Sequence, residues 1–159
     1  MTLLIIGLAM GIGGTIAMDI WAIVLARFFG QSAPNWAMPG RWLAHAMAGR
    51  LWHDDIGAAI AVKNELALGW VFHYGVGAAY GAFFAVLAGP LWLVAPTLLP
   101  VWGFSLLTIF AGWCLLQPGM GLGWFASKTP HPWKVRALGV LAHTWFALGM
   151  WAVAVALAA

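Results

Sequence analysis

Residues 3–29 read LLIIGLAMGIGGTIAMDIWAIVLARFF. The stretch holds one acid, Asp19, and one base, Arg27, which stands close to its end. A helix needs roughly 20 apolar residues to cross the ~30 Å hydrocarbon core of a bilayer, and this run supplies them. No Lys or Arg precedes it, it is too long for the apolar region of a signal peptide, and no small-residue cleavage site follows. It reads as a retained first span. Three further stretches have the same character, at about 66–87, 97–116 and 137–157. Helices are the expected form, because a helix satisfies its own backbone groups in lipid. No stretch alternates in the manner of a barrel strand. The fold class is therefore all-α, an integral membrane bundle of four transmembrane helices. Residues 1–159 are expected to form a single transmembrane domain, with connections at about 30–65 and 117–136.

Composition supports this reading. Of the 159 residues, 64% are hydrophobic and 7% charged, where soluble domains carry about 25% charged residues. Mean hydropathy is +0.94. A water-soluble globule would lack the charge to cover its surface, and a disordered chain would be poor in apolar residues. The 12 Trp and 20 Gly suit a protein with aromatic belts and close helix contacts. The net charge of +3 forms no basic stripe, and no nucleic-acid motif is present, so no nucleic-acid partner is expected. Cys114 is the lone cysteine and reads as a small buried hydrophobe.

The seven bases set an expected orientation. Arg27, Arg41, Arg50 and Lys63 fall at the end of span one or in the first connection, and Lys128, Lys134 and Arg136 in the third. The second connection and both tails carry none. Positive residues stay on the cytoplasmic side, which puts both termini outward.

Within the first connection, residues 38–52 place Leu43, Met47 and Leu51 at helical spacing, with Trp42 and Ala46 beside them and Arg41, His45 and Arg50 between. That pattern predicts a short interfacial helix between spans one and two. A second short helix is expected to start at Asp54 or Asp55, both good N-cap residues. His45 and the triplet His53-Asp54-Asp55 read as a solvated polar face, and His131, between two prolines, as a loop residue. Residues 117–130, QPGMGLGWFASKTP, are apolar yet too rich in Gly and Pro for an undisturbed helix. They predict an unwound turn at the end of span three followed by a short helical piece. The alternative is a Pro-Gly helix stop followed by an interfacial helix.

The candidate chemistry lies in the spans. Asp19 precedes Arg27, His73 follows Glu65, and His143 follows Arg136, each by about two helical turns. The three residues thus come from three helices at one expected depth, roughly 10–12 Å inside at ~1.5 Å per residue. Gln117 would join that layer if the Gly-rich segment is re-entrant. A charge at such depth is costly unless paired or wet, so Asp19 is expected to face the bundle interior near a histidine. Three readings stay open. The residues form a polar tie between helices, or they form a proton- or solute-binding site, since His exchanges protons near neutral pH. Alternatively, Asp19, His73 and His143 form a metal site for zinc or non-haem iron, or the two histidines ligate haem or a chlorophyll magnesium. Small residues at Gly7 and Gly11 and at Gly77 and Gly81 predict close helix approach.

Several pieces together resemble a known family: residues 11–21, GIGGTIAMDIW; 40–45, GRWLAH; 67–74, ALGWVFHY; 96–100, PTLLP; and 117–121, QPGMG, continuing to Ser127-Lys-Thr-Pro130. They resemble a bacterial family of small four-helix inner-membrane proteins labelled as a domain of unknown function. The resemblance implies a multi-pass protein of the bacterial inner membrane and supplies no activity or cofactor. The expected function is proton or small-solute transport or sensing through the intramembrane Asp/His site. Four helices make a narrow path, so transport would call for a homo-oligomer. The alternatives are a structural or assembly subunit of a membrane complex, with haem or pigment, and a metal-dependent membrane enzyme, for which no nucleophile is recognisable.

Overall fold

The computed structural model of the chain describes residues 3–158, and every regular element among them is helical. Five helices are formed: α1 Leu3–Phe28, α2 Ala37–Met47, α3 Glu65–Val94, α4 Leu98–Gly119 and α5 Pro132–Ala158. All but α2 are long and apolar enough to cross a membrane. The chain is thus an all-α membrane protein with four spanning helices and a short helix between the first two.

Local chemistry explains the ends. α2 stops at Met47, short of the expected Trp52, because Gly49 takes a left-handed φ of 90°. There the N–H of Arg50 donates to His45 O (2.9 Å) and that of Gly49 to Ala46 O (2.9 Å), closing the carbonyls as a Schellman motif does. No helix starts at Asp54 or Asp55. Asp55 instead accepts from the Gly57 N–H at 2.7 Å and forms a side-chain turn, a competing use of the same capping oxygen. α3 is broken at Gly89 (φ 73°, ψ 176°), directly before Pro90, close to the expected end at 87. α4 passes through a π-turn at Gly112–Leu116, where the Gln117 N–H reaches Gly112 O. Pro118 follows, lacks an N–H and crowds the preceding turn, and a wider turn relieves such crowding. Residues 120–123 then unwind, and a single 3-10 turn forms at Trp124–Ala126.

The chain packs as two compact units. Among the described residues, one comprises 3–33, 74–108 and 140–158; the other comprises Pro34–His73 and Ile109–Gly139. The first unit is centred on Met10, Phe84, Val101, Phe146, Met150 and Ala154. Its α1 approaches α3 through the glycines singled out above. A Cβ on Gly7 would stand 2.5 Å from Ala82 Cα, and one on Gly11 would be 2.8 Å from Ala78 Cα and would strike Gly77 O. On α1's other side, a Cβ on Gly149 of α5 would lie 2.8 Å from Gly14 Cα. The second unit is centred on Trp42, Ile56 and Met120.

The glycine contacts predict an asymmetric mutational response. Gly81→Ile should destabilise the protein by ~1–3 kcal/mol, as overpacking does. Gly75→Ala, where an added Cβ meets nothing within 4 Å, should be close to neutral. Thermal unfolding of both variants in detergent checks this.

Candidate functional site

In the first unit, Asp19 and Tyr74 face each other from α1 and α3. The Tyr74 hydroxyl donates to the Asp19 carboxylate at 2.8 Å, and both residues are half-buried. A charge-assisted bond of this kind is among the stronger ones available to a carboxylate. Tyr74 was not among the site residues expected from the sequence. Its position beside His73 in a run of apolar and aromatic residues hides the role, because a Tyr in a span reads equally well as packing.

His143, in the same unit, joins α5 to α4. Its Nδ1 lies 2.9 Å from the carbonyl of Ser105 and 3.1 Å from Thr108 Oγ1. A carbonyl only accepts, so Nδ1 carries the hydrogen of this contact. Ser105 returns a bond from its hydroxyl to His143 O at 2.6 Å, and Thr108 donates to Ser105 O at 2.7 Å. The arrangement ties two helices by side chains, as polar groups do in lipid.

His73 and Gln117 belong to the second unit. The His73 ring stacks on Trp36, with centroids 3.8 Å apart and planes at 24°, and Trp70 lies at 6.0 Å. The close approach needs Gly69, whose added Cβ would strike the Trp36 carbonyl. Gln117 Oε1 is buried and finds no hydrogen-bond partner among the described residues. An unmet buried acceptor costs ~1–3 kcal/mol. Among the described residues no group of three or more His, Cys, Asp or Glu is placed to hold a metal ion.

The second unit also contains a polar assembly that the sequence reading passed over. Arg41 is buried, at 7% exposure. It donates through Nε and Nη2 to the two oxygens of Glu65, each at 2.8 Å. Its Nη1 points at three carbonyls of the first connection, Ile56 (3.1 Å), Gly57 (3.1 Å) and Ala59 (3.0 Å). Glu65 Oε2 also accepts the Val62 N–H at 3.0 Å. The hydrogen bonds to Glu65 hold the Arg41 guanidinium above its ordinary value, with burial working the other way. A planar fork suits this task, since it serves a carboxylate and a row of carbonyls at once.

The two histidines read as solvated are held in the same unit. His53 is buried at 6% exposure, which corrects the expectation of a water-facing triplet. Its Nδ1 lies 3.0 Å from Gly119 O and its Nε2 2.9 Å from His45 Nδ1. His45 Nε2 lies 3.0 Å from Ile60 O. Backbone bonds reinforce the arrangement, from the His53 N–H to Gly119 O (3.0 Å) and from the Ile56 N–H to Met120 O (3.1 Å). The expectation of a solvated face failed because the partner, the turn after Leu116, lies far along the chain. Asp54 and Asp55 do remain exposed.

These features define a small helical membrane protein with polar side chains set into its spans. The family described as "Protein of unknown function (DUF2938)" matches residues 8–157, and the chain belongs to that family. No curated protein and no solved structure matches it.

The Arg41–Glu65 pair predicts strong coupling. Arg41→Gln and Glu65→Gln should each lower the melting temperature, because each leaves a partner without its counter-charge. The double variant should lose clearly less than the two single losses combined. A double-mutant cycle by thermal unfolding in detergent measures it.

Proposed function

We propose that the chain moves or senses protons, or a small solute, across a bacterial inner membrane, with Asp19 as its central group. The observation that carries this reading is the Tyr74 hydroxyl bonded to the Asp19 carboxylate inside a span. An intramembrane acid is expensive, and such residues characteristically serve ion or proton pathways. The Tyr74 hydroxyl orients the carboxylate that this reading makes the proton- or solute-binding group. His73 on its Trp36 stack and the unmet Gln117 oxygen are the further polar groups of this reading. His143, whose ring is bonded to Ser105 and Thr108, supports a structural role for that residue. It is the point at which the rival reading, a structural or assembly subunit, draws support.

The proposed orientation follows the bases. Arg41, Arg50, Lys63, Lys128, Lys134 and Arg136 lie in connections one and three or at the start of α5, which assigns those connections to the cytoplasm and both termini to the periplasm. A second copy of the chain would widen the path that four helices leave.

Purified protein in pyranine-loaded liposomes should pass protons under an imposed pH gradient. Asp19→Asn, folded by circular dichroism and gel filtration, should reduce the flux to that of empty vesicles, and Tyr74→Phe should lower it in part. Unchanged flux in a folded Asp19→Asn variant would sink the proposal. Topology is checked separately with reporter fusions. A fusion at Gly49 should report cytoplasm and one at Ala95 periplasm.

A further inference from the structure

The histidine pair of the second unit has a hydrogen count that two neutral rings cannot meet. Four ring nitrogens stand in a row between two carbonyl oxygens. Gly119 O faces His53 Nδ1 at 3.0 Å, His53 Nε2 faces His45 Nδ1 at 2.9 Å, and His45 Nε2 faces Ile60 O at 3.0 Å. A carbonyl oxygen only accepts, so His53 Nδ1 and His45 Nε2 must both carry hydrogen. Those two hydrogens are all that two neutral imidazoles possess. The inner nitrogens, His53 Nε2 and His45 Nδ1, would then meet lone pair to lone pair at 2.9 Å. That separation is a hydrogen-bond distance, and it needs one proton between them.

We infer that His45 and His53 form a binding site for a single extra proton, shared between His45 Nδ1 and His53 Nε2, so that the pair carries one positive charge. The surroundings are compatible with that charge. The Glu65 carboxylate at the start of α3 lies within electrostatic reach of His45. Arg41, one turn earlier on α2, is already matched by Glu65. From the first connection, Asp54 is exposed beside His53, Asp55 is engaged with the Gly57 N–H, Lys63 is exposed, and Arg50, whose backbone N–H bonds His45 O, is itself exposed to solvent. The turn at 119–122 contributes carbonyls and no charge, and the nearest base after it in the chain, Lys128, is exposed. His53 is buried, whereas the bond from His45 to Ile60 O lies at the surface, which gives the proton a way in through His45.

The shared proton closes a chain of bonds between three segments remote in sequence. These are the end of α2 at His45, the first connection at His53 and Ile60, and the turn at Gly119. Loss of the proton puts two lone pairs in opposition and opens that chain at its centre. The site is distinct from the Asp19–Tyr74 pair, and its test does not depend on any flux.

The test uses the full wild-type chain, labelled with 15N-histidine, in detergent micelles and stripped of metal by chelator. Nitrogen NMR is recorded across a titration from pH ~5 to ~9, the range in which histidines change charge. The expected result is a scalar coupling between one ring nitrogen of each residue across the N–H···N bond. It should come with uptake of one proton by the pair as a unit. Protection of the His53 and Ile56 amides, after correction for the base catalysis of exchange, should be higher on the acid side of that titration, since both N–H groups bond the 119–120 carbonyls. Coupling and pairwise uptake should vanish in His45→Gln, and the wild-type measurement stands alone if that variant does not fold. Two rings that titrate independently, or the absence of coupling throughout, would overturn the inference. So would a neutral pair in stripped protein whose two rings respond together to one equivalent of Zn²⁺ or Cu²⁺, because the site would then be a two-histidine metal site.

Discussion

Helices in lipid gain nothing from hiding apolar side chains from one another, since the solvent is as apolar as they are. What holds them is close contact, and the closest contact comes from backbones that meet without side chains between them. In the first unit α1 meets α3 along Gly7, Gly11, Gly77 and Gly81, and meets α5 at Gly14 and Gly149. Helix α1 is therefore gripped on two sides by glycines, and its remaining faces carry Leu and Ile outward, such as Leu4, Ile12 and Ile23. Thr15 keeps its hydroxyl satisfied inside this tight seam by bonding back to Gly11 O at 2.9 Å. The depth at which Asp19 meets Tyr74 follows from the same seam, because it sets the register of α1 against α3.

The second unit is organised on the opposite principle. Its first connection, residues 48–64, contains no helix, so its backbone groups need partners from elsewhere. Arg41 supplies three of them, and Glu65 holds Arg41 in place. Trp42 supplies another, donating from Nε1 to Leu51 O at 2.9 Å, and the 119–120 carbonyls take the N–H groups of His53 and Ile56. The consecutive pair Arg41 and Trp42 thus does for the connection what a helix would have done internally. Along α2, Met47 is 79% exposed, whereas Arg41 faces in. The carbonyls of the connection hold the Arg41 side chain inside.

Polar residues in the spans divide by what they bond. His143 is bound by backbone and hydroxyl groups of α4, an arrangement that fastens two helices. Asp19 accepts a hydrogen bond from the Tyr74 phenol. His73 is held by the face of an indole. The family to which the chain belongs is one of unknown function.

The spans were legible in the sequence because membrane insertion depends on length and hydropathy, which are local and additive properties. The break after Pro118 was legible as well, since Pro lacks an N–H wherever it stands, and the expected end of span two at about 87 lies close to the break at Gly89. The glycine pairs could be named in advance, though not which pair would face which. Tertiary structure alone decided the rest. Arg41 meets Glu65 across 24 residues of sequence, Tyr74 meets Asp19 across 55, and His53 meets Gly119 across 66. No periodicity records such distances. The reason is physical: a hydrogen bond forms where two groups arrive together, and their arrival is set by how whole helices pack, whereas a span forms wherever enough apolar residues follow one another.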